Sequence, residues 1–209
     1  MKYKNLSQLD VEYKNLKSKI KKRIKDFKKI KEEDYFYELC FCICTPQTKA
    51  VNVFKVQKLL ELMDFKNKKI NPENILDNKN HYIRFHKTKA KNLVAMKKQF
   101  SEINKKLNDE IAPIEKRNWL SANVLGIGMK ESTHFLRNIG FNGDLAILDR
   151  HILKQLQHHG AIKKLPKTVS KKEYLKIEIL FQRFANEINI SINELDLLFW
   201  AREAGLILK

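Results

Sequence analysis

Apolar residues recur at helical spacing through most of this chain, and no proline interrupts any of the long periodic segments. Leu6, Leu9, Tyr13, Leu16, Ile20, Ile24 and Phe27 mark a lysine-rich helix within residues 6–30. Residues 33–45 are apolar nearly all round, which predicts a central buried helix. Pro46 suits the first turn of the next helix, expected to run to about Phe65. Asn71-Pro72 opens a short element, and residues 88–107 read as a basic amphipathic helix. Residues 111–124 and 129–139 form two more, the second closed by Gly140 as a natural C-cap. The apolar run Leu145–Leu148 leads into Asp149, a fitting N-cap for a helix ending at Gly160. Ser170 with Glu173, and Ser191 with Glu194, read as capping boxes of the last two helices. No alternating strand of convincing length occurs, so the expected fold is all-α.

With 209 residues the chain fits one large domain or two small ones and can bury a real core. A net charge of +18 points to a polyanionic partner, with nucleic acid ahead of an anionic membrane surface. No apolar run is long enough to span a bilayer. The opening Met1-Lys2-Tyr3-Lys4-Asn5 lacks the apolar core of a signal peptide, so a cytoplasmic location is expected. Cys40, Cys42 and Cys44 read as small apolar residues of the buried helix. Alternate residues of a helix point about 200° apart, and the chain has no C-x2-C pair or HExxH, so a metal site is not expected.

One short stretch carries chemistry. Val124-Leu125-Gly126-Ile127-Gly128-Met129-Lys130 sets two glycines around one apolar residue and runs directly into an amphipathic helix. This is the pattern of a helix-hairpin-helix. Glycine allows a tight turn and a close backbone approach, and the N–H groups of the following helix start attract a phosphate. Lys130 then sits in a first helical turn, where the helix dipole disfavours a cation. A residue set against its own electrostatic preference is a candidate for function.

Gly126-Ile127-Gly128-Met129-Lys130, with Asp149 nineteen positions further on, resembles the helix-hairpin-helix DNA glycosylases of base-excision repair. The strings Ser132–Asn138 and Asp149–Leu153 are similar to the compact type 2 family of 8-oxoguanine DNA glycosylase/lyases. The Leu39–Cys44 helix and the Asp196–Trp200 segment fit that family as well. Two departures stand out. No cysteine follows Cys44, so the four-cysteine iron–sulfur loop of related branches is absent, and Leu125 stands where a proline often precedes the first glycine.

The resemblance implies two helical subdomains flanking a DNA-binding cleft. Residues 1–30 with 145–209 would form one, and residues 31–144 the other, with the helix-hairpin-helix at about 111–140. It implies Lys130 as nucleophile, attacking the sugar C1′, expelling the damaged base and forming a Schiff base that leads to β-elimination. Asp149 would stabilise the positive charge that grows on the sugar. Phe85, Trp200 and Lys209 would bind the extruded base. Gln47, on a loop resembling one that fills the gap left by the flipped nucleotide, would contact DNA together with Gly126, Ile127, Gly128 and Arg150. The resemblance implies no metal and no cofactor beyond a monovalent cation on hairpin carbonyls such as those of Leu125 and Ile127. The implied partner is double-stranded DNA containing oxidised guanine, bound by a monomer with no membrane association. Read without the resemblance, Asp149 is an N-cap, Phe85 and Trp200 are packing residues, and the Gln47 loop is a plain turn. Two other functions stay open at this point, the same chemistry on oxidised pyrimidines and a non-catalytic DNA-binding module.

Overall fold

The computed structural model describes residues 3–204 and is helical throughout them, with no strand. Lys209, expected at the base site, lies outside the described residues. The chain divides into two compact units, residues 30–139 and a second drawn from both sides of it, 3–29 and 140–204.

The unit of residues 30–139 is built around α2 (Tyr35–Cys44). Nine of its ten residues are buried, as an all-round apolar helix requires. Around it lie α3 (Ala50–Leu62), α5 (His86–Asn108) and α7 (Met129–Asn138), with the short α4 (Glu73–Leu76) against α5 and α6 (Pro113–Asn123) against α7. The core of this unit is rich in aromatic rings, with Phe36 edge-on to Phe100 at 5.0 Å. The three thiols of α2 are buried, and burial raises the Cys40 and Cys44 thiols, the latter to about 12.

One polar residue breaks the apolar surface of α2. Glu38 is buried and accepts from Gln57 Nε2 of α3 at 3.1 Å and from Asn138 Nδ2 of α7 at 3.2 Å. A buried carboxylate is tolerated when its lone pairs are matched in this way. The node fixes the C-terminal end of α7, the helix that begins at the hairpin.

The other unit contains α1 (Leu6–Phe27), α8 (Arg150–His158), α9 (Lys171–Glu187) and α10 (Ile192–Ala204). Helix α10 packs against the other three, and Tyr13 of α1 donates its hydroxyl to Glu194 at 3.0 Å. Ser191 and Glu194 form a reciprocal capping box at the start of α10, while at α9 Ser170 Oγ accepts from Glu173 N–H. The expectation for Pro46 needs correction. Helix α3 begins only at Ala50, and residues 46–48 form a turn in which Gln47 adopts a left-handed φ of 55°.

Replacing Glu38 by Ala removes an acceptor from two buried amides. The expected cost is about 2–3 kcal/mol, read as a lower urea midpoint at unchanged m-value. An unchanged midpoint would show that the node contributes nothing.

Candidate active site

Five residues, Val124 to Gly128, connect α6 to α7. Gly126 has φ +89°, which disfavours any side chain, and a Cβ there would overlap the amide of Asn92 from α5. Gly128 is different. It is extended at φ −102°, so its lack of a side chain answers no conformational demand. Ile127 is buried between the two, whereas Leu125 is 62% exposed.

Gly128 is the N-cap of α7, Lys130 lies in its first turn, and Glu131 stands at N3. Glu131 Oε2 accepts from the Gly128 N–H at 3.2 Å, and its Oε1 lies 2.9 Å from Lys130 Nζ. A single carboxylate thus serves a hairpin N–H and the adjacent ammonium. Its charge also suits the positive end of the helix and offsets the cost of the cation there. The Gly128 N–H is therefore already occupied by Glu131. Helical geometry still leaves the N–H groups of Met129 and Lys130 without an intrahelical acceptor. Sequence reasoning passed over Glu131, although an acid three residues past an N-cap is a recognisable signal.

Phe85 precedes α5 in a left-handed conformation (φ 61°), and its ring is 50% exposed. The Arg84 guanidinium lies 4.9 Å from the ring centroid. The aromatic is thus half exposed on a backbone conformation unfavourable for a residue with a side chain. Gln47, also exposed, lies on the turn after α2.

Asp149 belongs to the other unit. Its approach is fixed by α9, where Glu178 Oε1 accepts from Ala146 N–H at 2.8 Å and the Tyr174 hydroxyl accepts from Leu148 N–H at 3.3 Å. Asp149 caps α8 through Oδ1, which accepts from Ile152 N–H at 2.8 Å. Its Oδ2 accepts from Trp200 Nε1 at 3.2 Å. One carboxylate is thus oriented by a helix start and an indole, which gives Trp200 a task the sequence did not suggest. His151 lies 5.9 Å from the Trp200 ring, and Arg150 is exposed at the start of α8. Among the described residues no group of His, Cys, Asp and Glu side chains could hold a metal ion.

Together, an all-helical fold, a glycine hairpin and a lysine in the first turn beyond it define the class of helix-hairpin-helix proteins. Residues 20–190 match the family model described as Ogg-HhH, 8-oxoguanine DNA glycosylase. The chain is 38% identical to an 8-oxoguanine DNA glycosylase/AP lyase of Fusobacterium nucleatum, over 97% of each. The Thermotoga maritima 8-oxoguanine DNA glycosylase Tm1821 superposes with a TM-score of 0.85 at 31% identity, over 98% of each chain. The Methanocaldococcus jannaschii 8-oxoguanine glycosylase/lyase, solved with a 15mer DNA containing 8-oxoguanine, gives 0.84 at 34% identity, over 97% of this chain and 100% of that one. The chain therefore belongs to the Ogg-HhH family of 8-oxoguanine DNA glycosylases.

Gly126→Ala is expected to cost about 1–2 kcal/mol, from the left-handed φ and the overlap with Asn92. Adding Asn92→Ala should recover the steric share and leave the backbone share. Thermal melts of both variants check this, and a Gly126→Ala protein as stable as wild type would refute it.

Proposed function

We propose that this protein is a bifunctional 8-oxoguanine DNA glycosylase/AP lyase that acts on duplex DNA. The observation that carries the reading is the Lys130 amine in the first turn past the glycine hairpin, with the Glu131 carboxylate 2.9 Å away. Its support is full-length similarity to relatives bearing that name.

The chemistry follows from an amine, a carboxylate and a strained pentose. Lys130 must lose a proton before it can attack, and Glu131 can take it. The neutral amine forms a bond to C1′ as the C1′–N9 bond breaks, and the base leaves with the electron pair and a proton. Opening of the sugar ring at O4′ then yields the imine. The imine acidifies the C2′ hydrogen, and its removal expels the 3′ phosphate and cuts the strand. Asp149 accepts from two N–H donors that fix its orientation, and its carboxylate stabilises the cationic sugar electrostatically.

The base must leave the stack to be excised. Phe85 and Trp200 supply aromatic faces for it. Gln47 offers donors and an acceptor to the orphaned partner base. Gly126 and Ile127 approach a phosphate through their backbone, together with the N–H groups of Met129 and Lys130, and Arg150 contributes charge at the start of α8. The donor set of the hairpin, carbonyl oxygens such as those of Leu125 and Ile127, suits a weakly held monovalent cation rather than a divalent one. No helix among the described residues is long and apolar enough to cross a membrane. A monomer working in the cytoplasm on chromosomal DNA completes the reading.

Borohydride reduction in the presence of DNA bearing 8-oxoguanine should link protein to DNA covalently, and Lys130→Gln should abolish that adduct while sparing binding. An adduct that survives in Lys130→Gln would assign the chemistry to another amine. Faster cutting of a thymine glycol strand than of an 8-oxoguanine strand would overturn the substrate. Asp149→Asn keeps an acceptor for the α8 cap. It should leave thermal stability within about 0.5 kcal/mol while slowing base excision by about a hundredfold or more, separating capping from charge.

A further inference from the structure

A second lysine lies near the hairpin and has no part in the chemistry above. Lys89 of α5 is only 5% exposed. Its ammonium donates to the Cys44 carbonyl at 2.8 Å, the Pro46 carbonyl at 2.6 Å and Thr48 Oγ1 at 3.0 Å. Three donors meet three acceptors, so the group is fully used. The Cys44 carbonyl closes α2, where the helix dipole favours a cation. The acceptors surround Gln47, whose φ of 55° is unfavourable for a residue with a side chain. Thr48 Oγ1 in turn donates to the Pro46 carbonyl at 3.3 Å, and Thr48 N–H donates to the Thr45 carbonyl.

We infer that Lys89 is a positioning residue, whose ammonium fastens residues 44–48 into the turn that presents Gln47 outward, ready to occupy the gap left by a flipped nucleotide. The inference rests on the proposed glycosylase activity.

The buried cation also carries an electrostatic cost. Burial lowers the Lys89 amine from 10.5 to about 8. The unfolded chain holds this proton up to about 10.5 and the folded chain only up to about 8, so stability rises with pH between those values. Below about 8 the folded state bears the full cost of the buried charge. The groups that bear on it are the Cys44 thiol of α2, itself pushed up to about 12 and so neutral, and Glu131 and Lys130 of α7. Glu131 favours the ammonium and Lys130 opposes it.

The test compares two reactions of the full-length protein. One is single-turnover excision from an 8-oxoguanine duplex. The other is borohydride trapping on a single-stranded abasic oligonucleotide, which has no gap to fill. Lys89→Met should slow the duplex reaction about tenfold and leave single-strand trapping within about twofold. Gln47→Ala should give the same loss, and the double variant no more. In wild type, the ratio of duplex to single-strand rate should fall as pH rises through about 8, because a neutral amine has fewer donors. In Lys89→Met the ratio should be low and flat. An undiminished duplex rate, an equal loss in both reactions, or additive losses in the double variant would each overturn the inference. If Lys89→Met does not fold, the wild-type ratio decides: constancy from about pH 7 to about pH 9 overturns it. A wild type inactive on the duplex would overturn the functional reading and this inference with it.

Discussion

Helix α2 is apolar on every face, so it persists only where other helices enclose it. That requirement organises the unit of residues 30–139. Helices α3, α5 and α7 each bury part of their surface against it, and the two polar demands of α2 are each met from afar. Glu38 in its middle is satisfied by Gln57 and Asn138, and its closing carbonyl by Lys89. The first arrangement anchors the far end of α7 and the second the turn bearing Gln47. The catalytic candidate and the turn bearing Gln47 thus inherit their positions from one buried helix.

Two carboxylates of the candidate site are each held by two donors. Glu131 spans a hairpin N–H and an ammonium, and Asp149 a helix start and an indole. A carboxylate held at two points loses little further freedom when a substrate arrives, which is the condition for electrostatic stabilisation without reorganisation.

Much of this was legible in the sequence, for local reasons. Helical spacing, proline positions and cap residues act over a few positions, so α1, α5 to α8 and the Asp149 cap could be read directly. The Gly126 turn was legible because its φ excludes other residues. Pro46 was misread because a proline after a helix also suits the start of the next one. What decides against that start is Lys89, more than forty residues away. Lys89 itself was lost among many solvated lysines, although it falls in line with Leu93, Met96, Phe100, Ile103 and Leu107 on the buried stripe of α5. A charge on an apolar stripe was the available signal. The pairing of Trp200 with Asp149 joins residues fifty-one positions apart, and no local pattern encodes it.

The three thiols of α2 take on meaning beside the chemistry proposed for the chain. Sulfur reacts with peroxide as thiolate, and only where the oxidant can reach it. Cys40, Cys42 and Cys44 are at most 1% exposed, and burial holds Cys40 and Cys44 protonated far above neutral pH. An enzyme that repairs oxidised guanine works while the oxidants that damage DNA are present. Its three thiols are shielded from them, so the cysteines offer no target to the same stress that creates the substrate.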